Sequence, residues 1–116
     1  MDEDREFALE SRLTNHGCYL REVAESGDTC HLTYQSAAAD QHGEIPQQQV
    51  GDIVNVFRKL FADAGWSVRS VEATVTDLDD EPLGSWRAEQ EWFDALADGT
   101  MTEVEFSRRV VDSLEP

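Results

Sequence analysis

The run Pro46-Gln47-Gln48-Gln49-Val50-Gly51-Asp52-Ile53-Val54-Asn55-Val56-Phe57-Arg58-Lys59-Leu60-Phe61-Ala62-Asp63-Ala64-Gly65 decides how this chain folds. Val50, Ile53, Val54, Phe57, Leu60, Phe61 and Ala64 recur at i, i+3, i+4 and i+7, the spacing of a helix with one buried stripe. Pro46 suits the first turn, where its missing N–H has no helical partner to lose. Gly65 suits the position just past the end, where a left-handed backbone is wanted. The helix predicted over 46–64 would span about 28 Å, enough to carry the chain back along a sheet. A strand after it should therefore run in the same direction as the strand before it.

Outward from this helix the pattern alternates between strand and helix. Residues 3–14 predict a short helix with Phe7, Leu9 and Leu13 on its apolar face. Residues 18–25 and 29–36 predict a hairpin around Ser26-Gly27-Asp28. With a two-residue loop, odd positions of the first strand share a face with even positions of the second. That sets Tyr19 and Val23 with Cys30, Leu32 and Tyr34, and sets Cys18, Glu22, His31, Thr33 and Gln35 opposite. Leu20 and Arg21 fall on the wrong sides, which an edge position or a second covering helix would explain. Residues 37–44 read as a loop. Residues 66–76 predict a strand, with a bulge near Arg69 to reconcile Trp66 and Val68 with Val71, Ala73 and Val75.

Asp77 to Pro82 reads as a turn, and residues 85–97 as a helix with Trp86, Gln90, Phe93 and Leu96 inward. The last helix is announced by a capping box, Thr102 with Glu105, and by Met101 and Phe106 as a hydrophobic staple. The order is α-β-β-α-β-α-α. It predicts a single α+β domain: a three-stranded, mainly antiparallel sheet packed by the long helix. The third strand would lie beside the first, or beside the second in a mixed sheet. The two C-terminal helices would cover the rest of the sheet or reach a partner.

Composition speaks about solvent. Asp and Glu number 25 against 9 Lys and Arg, a formal charge of −16, and Lys59 is the only lysine. Leu, Ile, Val and Phe make up only about a fifth of the chain, close to the level at which highly charged chains stay disordered. Self-repulsion opposes compaction in dilute buffer, whereas at 1 M salt the Debye length is about 3 Å. A salt-dependent fold is expected. Nucleic acid is not an expected partner, because phosphate contacts need Lys and Arg. No run approaches the ~18 apolar residues of a membrane helix. The acidic start, Asp2-Glu3-Asp4, is unlike a signal peptide, so a cytoplasmic protein is expected. Cys18 and Cys30 are too few for a disulfide framework.

Several side-chain groups invite a chemical reading and lose to a plainer one. Cys18, Cys30, His16 and His31 could make a metal site, but the hairpin parity splits the cysteines between faces. Asp40, His42 and Glu44 alternate in a loop, as acid-rich loops do by composition alone. Asp77, Asp79 and Glu81 start like a calcium loop, but Pro82 stands where that loop needs Gly. No phosphate loop, nucleophile elbow or metalloprotease motif occurs. Neither catalytic residue, metal nor cofactor is expected.

The segments Val50 to Arg58, Gly65-Trp66, Val71 to Leu78 and Gly84-Ser85-Trp86 together resemble a family of short haloarchaeal proteins with no assigned function. The resemblance covers most of the chain. It implies a haloarchaeal source and a single-domain protein, and it brings no catalytic residues.

Three tryptophans are many for so lean a core. Trp92 is rotated about 100° from Phe93 on the helix predicted over 85–97, so Trp86 and Trp92 are expected on an interaction surface. The expectation is a non-enzymatic interaction or regulatory module, homodimeric through the C-terminal helices or a sheet edge. The alternative is a small enzyme or ligand-binding protein whose pocket lies between sheet and helices, lined by His31, Thr33, Gln35 and Glu72.

Overall fold

The computed structural model describes residues 3–63 and 65–115. Its order is α1 (Glu3–Thr14), β1 (Cys18–Ser26), β2 (Thr29–Ser36), α2 (Ala37–His42), α3 (Gln47–Asp63), β3 (Ser70–Thr76), β4 (Pro82–Ala88), α4 (Gln90–Asp98) and α5 (Glu103–Asp112). The four strands lie in the order β1-β2-β3-β4. The outer pairs are antiparallel and the central pair, β2 with β3, is parallel. The fold is therefore α+β with a mixed sheet, and the third strand lies beside the second.

The long helix does what its length required. It returns the chain so that β3 runs with β2, in register from Thr29 opposite Ser70 to Gln35 opposite Thr76. Val50, Ile53, Val54, Phe57 and Leu60 are buried along it. The Pro46 carbonyl accepts the Val50 N–H at 3.2 Å, so Pro46 stands one residue before the helix. Gly65 has φ +69°, and the next N–H, of Trp66, returns to the Leu60 carbonyl at 3.3 Å. Ala64, the last apolar residue of the predicted stripe, lies outside the described residues.

Three sequence expectations are corrected. The helix predicted over 85–97 begins only at Gln90, and the residues before it form β4. Trp86 and Ala88 face the core from this strand, opposite Ala73 and Val71. Pro82 is tolerated because it opens an outer strand. The loop predicted over 37–44 contains α2, whose first turn is capped by the Ser36 hydroxyl accepting from the Ala39 N–H at 3.0 Å. The strand predicted from Trp66 begins only at Ser70, and no bulge near Arg69 is needed.

The hairpin parity is corrected as well. The register of β1 against β2 slips between Leu20 and Glu22, leaving Arg21 as an extra residue. One inserted residue moves every earlier side chain to the other face. Cys18 and Leu20 therefore join Val23 on the core side, and Tyr19 lies outside at 44% exposure.

The helices pack on one face of the sheet. Leu9 and Leu13 of α1, the α3 stripe, Phe93 of α4, and Phe106 and Val110 of α5 meet Cys30, Leu32, Tyr34, Val71, Ala73, Val75 and Trp86 in one core. Phe61 stacks edge-on against Phe93 at 5.2 Å, and Phe93 meets Phe106 at 5.1 Å, tying α3, α4 and α5 together. At about 1.5–3 kcal/mol for each fully buried large side chain, this lean set must pack without waste. Its buried polar atoms are all satisfied among the described residues. Ser36 donates to Gln49 at 2.6 Å, and Gln49 donates to the His16 carbonyl at 3.3 Å. The two join the ends of α1 and β2 to the start of α3.

Candidate functional site

Among the described residues, no helix covers the other face of the sheet. Because side chains alternate along a strand, the core positions fix what is left outside. Glu22 and Ala24 of β1 lie beside Thr33 and His31 of β2. Glu72 and Thr74 of β3 follow, and then Arg87 and Ser85 of β4. His31 Nδ1 stands 3.1 Å from Glu72 Oε2, and both side chains are about half exposed. Ala24, Thr33, Thr74 and Ser85 are short, so the middle of the face is low. Ser113 and Glu115 raise one margin and leave a shallow depression of about 400 Å³. Parallel strand pairs are ordinarily covered on both faces, and here the β2–β3 pair is open on one.

Both edges of the sheet are protected. On β1 the extra residue Arg21 is bound by Asp80, with Nε to Oδ1 at 3.1 Å. Bulges and charges of this kind discourage a further strand from pairing. On β4, Ser85 and Glu115 exchange two backbone hydrogen bonds, at 2.8 and 2.9 Å. The Ser113 hydroxyl meets the Arg87 N–H and carbonyl at 2.9 and 3.0 Å. The C-terminal residues thus occupy that edge.

His31, Thr33, Gln35 and Glu72 come together, but on the uncovered face; they do not line a space between the sheet and the helices. No hydrogen bond among the described residues joins His31 to a hydroxyl of Thr33, Thr74 or Ser85. The two tryptophans do not share a surface. Trp86 is buried at 2% exposure, and its indole N–H donates to the Tyr34 hydroxyl at 2.9 Å. Trp92 is half-buried on α4, with the Arg109 guanidinium 6.0 Å from its ring centroid.

Cys18 and Cys30 are both buried on the core side, which corrects their assignment to opposite faces. Their pairing positions, opposite Ser36 and Glu25, lie far apart along the hairpin. Burial, reinforced by Asp52, pushes the Cys18 thiol up to about 12. Burial and Glu25 push Cys30 up to about 11, with Arg69 opposing. Tyr34 is pushed up too, by burial above all. None of the three is primed as a nucleophile at neutral pH.

Asp40 of α2 and the acidic β3–β4 turn converge at one end of the sheet. One carboxylate oxygen each from Asp40, Asp77 and Asp79 lies within 4.8 Å of the others. Two of these carboxylates already accept backbone hydrogen bonds. Asp40 accepts the Leu78 N–H at 3.1 Å, and Asp77 accepts the N–H groups of Asp79 and Glu81 at 2.8 and 2.9 Å. The cluster closes the β3–β4 turn, where Asp80 has φ +66°. His42, Glu44 and Glu81 are not part of it.

Among the described residues no helix is long and apolar enough to cross a membrane. No curated protein and no solved structure matches the chain. A family model matches residues 1–116, and the chain accordingly belongs to the family described as a domain of unknown function (DUF8159).

Proposed function

We propose that this chain is a small interaction module that works as a homodimer, with the uncovered faces of two sheets stacked together. The observation that carries the reading is the bare face of the parallel β2–β3 pair, because parallel strand pairs are ordinarily covered on both faces. Four of the side chains on it, Ala24, Thr33, Thr74 and Ser85, are short and uncharged, and Arg87 stands opposite the acid Glu72. The flat, short-chained middle allows the roughly 10 Å approach of stacked sheets. The protected edges disfavour the edge-paired dimer expected from the sequence.

The same reading makes the protein one of a salt-rich cytoplasm, of haloarchaeal source, in which monovalent salt screens the −16 charge and permits both folding and association. It is a binding role rather than an enzymatic one, supported by the raised thiols and by a His31–Glu72 pair without a bonded hydroxyl. Sedimentation equilibrium in molar KCl tests it. A species of twice the 13.1 kDa chain mass is expected, and a strict monomer at all concentrations would remove the proposal. Thermal melts in low salt and in molar KCl test the second part, with a higher midpoint expected in salt.

A further inference from the structure

On the helical side, away from the sheet face, a cleft of about 880 Å³ runs along α3 between the end of α1 and α4. That volume is within the range of small-molecule sites, roughly 300–1,000 Å³. One wall is cationic, with Arg12 from α1 and Arg58 and Lys59 from α3. The lining is apolar at Phe61 of α3 and at Phe93 and Leu96 of α4.

The informative fact is how the cations are used. Arg21, Arg69, Arg87 and Arg58 hold Asp80, Glu25, Glu89 and Glu103 at 3.1 to 3.4 Å. Arg5 and Arg109 lie over Trp66 and Trp92. Among the described residues only Arg12, Lys59 and Arg108 have no such partner. In a chain with 25 acids to 9 bases, a cation should find a carboxylate easily. Two of the three that do not line the same cleft.

The charge balance also sets the charge of the ligand. Arg58 is matched by Glu103, so the free charges on the lining are Arg12 and Lys59 against Asp52. One net positive charge suits a singly charged head, and Asp52 repels a doubly charged one. We propose that the cleft binds a small organic monocarboxylate with an aromatic or aliphatic body. The head lies between Arg12 and Lys59, and the body lies against Phe61, Phe93 and Leu96. This site is independent of the dimer, because it uses the opposite side of the molecule.

The probe is 2-naphthoate, titrated in molar KCl while backbone amide shifts are followed by NMR, with 2-naphthol and 2-naphthyl phosphate in parallel. Shifts should concentrate at Arg12, Lys59 and Leu96. 2-Naphthoate should bind about tenfold more tightly than 2-naphthol, the scale of a charge-assisted contact. The phosphate should bind no better than the carboxylate. Arg12→Gln and Lys59→Gln should each weaken 2-naphthoate by about tenfold. Arg108→Gln, which removes the unpartnered cation outside the cleft, should leave binding unchanged. Equal binding of 2-naphthol overturns the proposal, as does tighter binding of the phosphate. Equal effects of Lys59→Gln and Arg108→Gln, with all variants melting normally, overturn it too.

Discussion

The two faces of one sheet, one residue apart along every strand, have opposite fates. Tyr34 is buried with its hydroxyl bonded to Trp86, while its neighbours Thr33 and Gln35 lie outside. Trp86 is buried, while Ser85 and Arg87 beside it face away from the helices. The inner face is closed by the chain's own helices with its polar atoms satisfied. The outer face is polar and short in the middle, and the described helices leave it bare. Stability belongs to the first face and interaction to the second, so substitutions on the two should separate these properties.

The largest effect is expected from Trp86→Ala. It removes a buried indole and leaves the Tyr34 hydroxyl without its donor, so a loss of about 3–5 kcal/mol is expected in denaturant titrations in molar KCl. The next effect comes from pH. The ordinary thiol value is 9.0, and the fold raises Cys18 to about 12 and Cys30 to about 11. A raised acid favours the folded state fully below pH 9, and that stability is lost as pH climbs through the raised values. Melting temperature should fall across this window. At pH 8 a thiol reagent should label the folded chain at least about a hundredfold more slowly than the unfolded one.

A smaller loss, about 1 kcal/mol, is expected for Thr102→Ala. Its hydroxyl accepts the Glu105 N–H at 3.1 Å at the start of α5. Replacements on the outer face should move stability least. Thr74→Arg should stay within about 0.5 kcal/mol of the parent in monomer stability, because nothing packs on that position within one chain. A loss there as large as that of Trp86→Ala would show that the faces are not distinct.

Much of this architecture was legible in the sequence. The period of α3 and its length gave the direction of β3, and Gly27-Asp28 gave the hairpin. What was missed has physical causes. On β4 only Trp86 and Ala88 are buried apolar residues, with Leu83 half-buried beside Gly84, too little apolar signal for a strand. Trp86, Gln90 and Phe93 happen to be spaced four and three apart, as on a helix. The bulge at Arg21 left no mark except the misplaced Leu20 and Arg21, which were explained by other means. The short α2 did carry a signal, Ser36 followed by three alanines, and the acidity of the next residues obscured it.

The outer face was partly visible. Parity set His31, Thr33 and Gln35 on one face, but it cannot say which face the helices cover, and with Glu72 they lie on the bare one. The cleft was invisible, because Arg12 and Lys59 come to one cleft only through the packing of α1 on α3. That they lack carboxylates is a property of the folded surface, not of any segment.

Sedimentation in molar KCl with a matched pair of variants tests the central claim most directly. Thr74→Arg places a long cation in the middle of the outer face, and Val104→Arg places the same group on α5 at a position already 70% exposed. The dimer should be lost in Thr74→Arg and retained in Val104→Arg, with both chains folded. A dimer that survives Thr74→Arg, or dissociates in Val104→Arg, would contradict the assignment of the uncovered sheet face as the interacting surface.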